Sequence, residues 1–61
     1  MTQVWVLSQG NGYDGYIVEG VFSKKEDAES FMAKRKLPKN DVWELECWEI
    51  NGECVSSEFI H

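Results

Sequence analysis

Histidine, cysteine pairs and positive charge are all scarce in this chain, and each scarcity removes a class of function. The one histidine, His61, is the last of the 61 residues, where chains usually fray. A histidine-based nucleophile or acid–base pair is therefore disfavoured. Cysteine is limited to Cys47 and Cys54. Their spacing, across an expected hairpin turn, fits neither a C-x-x-C motif nor a zinc-ligand pattern. The thiols are read as free in a reducing cytoplasm. No secretory leader is visible, and no apolar run approaches the roughly 20 residues of a membrane span, so a membrane partner is not expected.

Basic residues are absent outside one segment. All six lie between Lys24 and Lys39, where three acids accompany them. Outside that segment stand eight acids and no base, for a net charge of −5. The chain is thus a charge dipole, with an acidic sheet and a mixed, basic-leaning helix. One reading is solubility; the sharper one is an acidic surface built to meet a basic partner.

What is present suits a single domain over residues 1–61. A chain this short buries only about 60% of its unfolded surface. Stability is then on the order of 3–9 kcal/mol. Eight aromatics, among them Trp5, Trp43 and Trp48, supply the expected core, since each large ring can bury roughly 150–250 Å².

The elements follow from pattern. Residues 3–8 read as a strand that is apolar on both faces, Val4 and Val6 one way, Trp5 and Leu7 the other, which suits a central position. A turn-rich loop covers Gly10 to Gly15. A second strand spans Tyr16 to Phe22, with Tyr16, Val18 and Phe22 on one face and Ile17, Glu19 and Val21 on the other. Gly20 marks a bulge or a close helix approach. Ser23 to Glu26 fits a capping box, opening a helix to about Lys36. Its stripe of Ala28, Phe31, Met32 and Arg35 faces the sheet, and Leu37-Pro38 stops it. After a turn at Lys39-Asn40-Asp41, a third strand runs from Val42 to Ile50. Asn51-Gly52 predicts a two-residue type I′ turn, and a fourth strand runs from Glu53 to Ile60. That turn sets Ile50 opposite Glu53, Trp48 opposite Val55, Cys47 opposite Ser56 and Trp43 opposite Ile60. Cys47 and Cys54 would then share a face diagonally, beyond easy disulfide reach. The expected fold is α+β: a ββαββ four-stranded antiparallel sheet of order 2-1-3-4, with one helix on one face.

Chemistry-bearing motifs are weak. Gly10, Gly12 and Gly15 match G-x-G-x-x-G literally. They lie between strands, however, where a dinucleotide motif would open a helix. Glu44 and Glu46 share a strand face about 7 Å apart. Sugar hydrolysis by such a pair needs a cleft, and a metal held by Glu44, Glu46 and Asp41 is likewise disfavoured. No enzyme, cofactor or metal is expected. One helix covers only one side of the sheet, so Trp43, Leu45 and Cys47 are placed beneath Phe31 and Met32. The other side shows Val42, Glu44, Glu46, Trp48 and Ile50, joined by Val55 and Phe59. Tryptophan and aliphatics ringed by glutamates form a candidate binding patch, unless the 9–15 loop covers them. The candidate partner-binding residues are Glu44, Glu46, Trp48, Ile50, Val55, Phe59, Tyr13 and Asp14.

The ordered pattern Val4-Trp5-Val6-Leu7, Tyr13-Asp14-Gly15-Tyr16, Gly20-Val21-Phe22-Ser23 with Glu26 and Ala28-Glu29, and Trp43-Glu44-Leu45-Glu46-x-Trp48-Glu49-Ile50 covers roughly residues 4–50. It resembles a family of small bacterial and phage proteins classed as a domain of unknown function. That resemblance implies no enzymatic activity and points to a phage or mobile-element origin. The first functional expectation is an acidic, non-catalytic protein-binding module. In its finer form this is a phage-encoded inhibitor docking on the basic groove of a host or defence enzyme that binds nucleic acid. The alternative is a homo-oligomer, down to a homodimer, paired through the uncovered sheet face in a structural or regulatory role. Direct nucleic-acid binding is disfavoured, because Glu26, Asp27 and Glu29 interleave with the helix cations.

Overall fold

A computed structural model describes residues 2–13, 15–37 and 40–60. Its elements are β1 (Gln3–Asn11), β2 (Gly15–Phe22), α1 (Lys25–Ala33), β3 (Val42–Glu49) and β4 (Cys54–Ile60). The four strands form one antiparallel sheet of order β2-β1-β3-β4. This is the expected ββαββ α+β architecture. β1 is central, as its two apolar faces require.

The core lies between the sheet and α1. Leu7, Ala28, Trp43 and Leu45 are buried together, with Trp5, Phe22, Phe31, Met32, Leu37 and Ile60 packed around them. Phe31 carries the helix contact: its ring is 5.7 Å from Phe22 and 6.2 Å edge-on from Trp43. Offset and edge-to-face geometry of this kind adds to plain burial. Trp43 and Leu45 join the cluster under Phe31 and Met32 as expected, and Cys47 is buried on the same sheet face outside that cluster.

The local devices differ from expectation in four places. The helix opens at Lys24, in extended conformation with no side-chain cap, and the Ser23 capping box does not form. Lys24 O instead accepts from the backbone N–H groups of Asp27 and Ala28 at 3.2 and 3.5 Å. The helix ends at Ala33, closed by Lys34. Arg35 and Lys36 therefore lie past the last turn, although Glu26 and Asp27 do occupy the first turn, where the dipole favours acids. Arg35 leaves the helical stripe: it stacks on Phe31 at 5.0 Å and pairs with Glu19 at 3.1 Å. The expected stop at Pro38 and the turn at Lys39 lie outside the described residues.

Second, β2 carries a bulge. Leu7 pairs with Gly20 and Ser8 with Val18, leaving Glu19 as the extra residue. An inserted residue reverses alternation beyond it. Tyr16 and Val18 therefore share a face with Val21, while Phe22 turns to the helix, correcting the expected sets. Gly20 is needed here, since a Cβ would stand 2.8 Å from the Phe22 ring folded over it.

Third, the β3–β4 turn has three residues, not two. Glu49 N–H donates to Glu53 O at 3.1 Å and Gly52 N–H to Glu49 O at 3.0 Å. Asn51, with φ of 63°, takes the left-handed position, which asparagine tolerates best after glycine. Ile50 is thus a turn residue, and Glu49 rather than Ile50 faces Glu53.

Fourth, a bulge at Val55 puts one extra residue back into β4. Trp48 pairs with Cys54, but Cys47 still pairs with Ser56 and Trp43 with Ile60. Longer turn and bulge cancel, so the far register is the one the shorter turn predicted. The cysteines are both free, but on opposite faces: Cys47 buried on the helix side of the sheet, Cys54 exposed on the other side.

Candidate functional site: the helix-free sheet face

Strand alternation and the pairing register define the face away from α1. β1 contributes Val4, Val6, Ser8 and Gly10. β3 contributes Val42, Glu44, Glu46 and Trp48. β2 adds Tyr16, Val18 and Val21, and β4 adds Cys54, Ser57 and Phe59. Cross-strand rows then read Val21–Val6–Glu46–Ser57 and Val18–Ser8–Glu44–Phe59. Trp48 is 37% and Phe59 56% exposed, so large apolar surface remains open to solvent.

The face partly roofs itself. Tyr16 and Phe59 belong to opposite edge strands, three strand spacings or about 14 Å apart, yet their rings lie 6.0 Å from one another. Beneath this arch Ser8 and Gly10 are buried. Gly10 is dictated by the backbone: a Cβ there would run into the carbonyl of Gly15 and come within 2.8 Å of the Tyr16 Cα. Tyr13, between β1 and β2, is 98% exposed and does not cover the rings. Its backbone is held by an Asx contact, Tyr13 N–H donating to Asn11 Oδ1 at 2.8 Å.

Charge divides between the faces. Among the described residues there are two ion pairs, Lys25–Glu58 at 3.6 Å and Arg35–Glu19 at 3.1 Å. Both join the helix segment to the edge strands on the helix side, and Lys25 also lies 5.7 Å from the Trp5 ring. Glu44 and Glu46 take part in neither pair. Asp41 is held apart from them, accepting from Gln9 Nε2 at 3.3 Å and Asn11 Nδ2 at 2.9 Å. The three carboxylates weighed for a metal do not converge, and no group of three ligating side chains occurs among the described residues. No helix is long and apolar enough to cross a membrane.

Of the residues expected at the patch, Glu44, Glu46, Trp48 and Phe59 are brought onto one face. Ile50 and Val55 are displaced to the turn and the bulge. Tyr13 stands out at the loop tip, away from them, and Asp14 lies outside the described residues. Sequence reasoning missed Tyr16, Val6 and Val21. The parity of β2 hides that Tyr16 and Val21 share a face until the bulge is placed, and the signal for it was Gly20.

The fold and this face define a two-layer α+β domain with one helix on a four-stranded antiparallel sheet of order β2-β1-β3-β4 and an acidic, aromatic opposite face. The sequence model described as "Domain of unknown function (DUF7336)" matches residues 2–59. The chain belongs to this family. The match takes in the fourth strand, beyond the stretch that carries the motif resemblance. No curated protein and no solved structure matches the chain.

Proposed function

We propose that this chain is a non-catalytic protein-binding module whose helix-free face receives a partner presenting basic side chains beside apolar ones. The division of charge carries this reading. Lys25 and Arg35 are paired with Glu58 and Glu19 on the helix side, and Glu44 and Glu46 remain as an acidic pair among Val6, Trp48 and Phe59. Tryptophan and other aromatics are enriched at interface cores, and carboxylates about 7 Å apart along a strand compete for lysine and arginine that otherwise hold phosphates. In the finer form of the reading, the partner is a host or defence enzyme with a nucleic-acid-binding groove, and the chain is a phage-encoded inhibitor acting in the cytoplasm. Two copies paired through these faces would bring two Glu44–Glu46 pairs and, among the described residues, no cation into one interface, a like-charge burden that costs affinity.

The test is affinity capture from host lysate with the wild type, Trp48→Ala and Glu44→Lys/Glu46→Lys side by side. A partner retained by the wild type and lost by both variants supports the reading. Equal capture by all three sinks it.

A further inference from the structure

The two sheet edges are unequal. On β2 the Glu19 bulge breaks the outer row of backbone groups in mid-strand, and Arg35 closes over Glu19 from the helix side. On β4 the bulge at Val55 lies at the turn end, so Ser56 to Ile60 pair regularly with β3. Six of the seven β4 residues are exposed. Edge strands are ordinarily blunted by proline, lysine or a central bulge. β4 has no proline or lysine, and Glu58, its single charge, is turned to the helix face and paired with Lys25. Five regular residues offer an edge of about 17 Å.

We infer that β4 is a strand-addition site, and that the partner enters as an extended segment carrying a lysine or arginine with an apolar residue two positions away. This deepens the proposed function and rests on it. Main-chain pairing along Ser56–Ile60 supplies affinity, and alternate side chains supply selectivity. A residue placed beside Ser57 shares the face of Glu46, which pairs with Ser57. The added strand lies two spacings, about 10 Å, from β3. A long basic side chain and the Glu46 carboxylate close that gap over the small serine. Two residues along, an apolar side chain meets the exposed Phe59 ring. Charge complementarity selects the occupant: each copy of this chain is net acidic, so a basic segment is favoured over a second copy.

The probe is the synthetic peptide Thr-Val-Thr-Lys-Thr-Val-Thr, titrated at low salt into the full chain labelled for amide NMR. Two further peptides are N-methylated on one or the other alternate set of amides. Strand addition predicts protection from exchange of the Ser57 and Phe59 amides, which alternate with those turned to β3, and loss of binding with only one of the methylated peptides. It also predicts binding weakened about two- to fivefold by Glu46→Gln, the range of an exposed ion pair. Full binding by both methylated peptides overturns strand addition and leaves the face reading to its own capture test. An unaltered dissociation constant in Glu46→Gln overturns the basic-residue assignment. Absence of binding, or a sedimentation dimer that protects the same amides, overturns the proposal.

Discussion

Leu45 is 1% exposed, at the centre of the buried cluster, and its removal leaves a cavity that little nearby can fill. Leu45→Ala is expected to cost about 2–5 kcal/mol, a large part of what a chain this size has to lose. Urea denaturation followed by tryptophan fluorescence checks it, and a loss under about 1 kcal/mol would contradict the packing described. Gly10→Ala tests the floor of the opposite face. Its methyl meets backbone that cannot swing aside, so a loss of about 1–3 kcal/mol is expected. Asn51 offers the reverse case. With φ of 63°, Asn51→Gly is expected to be tolerated, whereas Asn51→Ala costs about 1 kcal/mol or more. Residue-scale reading of the sequence found the buried set well, because Leu7, Trp43 and Leu45 are apolar at strand spacing and need no other information. It could not find Gly10 as a requirement, since that depends on how closely β2 approaches.

At the scale of elements, the strands and helix were legible and their punctuation was not. Capping boxes are recognised by residue type, and Ser23 with Glu26 fits the type. The backbone instead stays extended through Lys24 and starts the helix one residue later. Ser23→Ala is therefore expected to change stability by less than about 0.5 kcal/mol, where loss of a true cap costs about 0.5–2 kcal/mol. Thermal unfolding of the variant distinguishes the two. The two bulges share one lesson. Each adds a residue to an edge strand, which no period-two count reveals. At β2 the extra residue brought Tyr16 and Val18 onto the open face that Val21 already occupies. At β4 it compensated the longer Asn51 turn, so Cys47 and Trp43 kept the partners that the wrong turn had predicted.

For the whole molecule, the charge dipole visible along the sequence is also a division between faces. Lys25 and Arg35 are spent on Glu58 and Glu19, and the acidic pair Glu44 and Glu46 is left opposite. The linear charge count showed basic and acidic segments. Which acids would meet which bases depended on the sheet order and the side on which α1 packs, and the first of these was readable from the two-faced pattern of β1. A complex formed through this face should weaken as salt rises, because exposed charges are screened beyond about 10 Å at 0.1 M salt. The most direct measurement is the amide NMR footprint of the captured partner on this chain. Resonances of Val6, Glu44, Glu46, Trp48 and Phe59 are expected to shift or broaden while those of α1 stay in place. A footprint centred on α1, with the sheet face unperturbed, would contradict it.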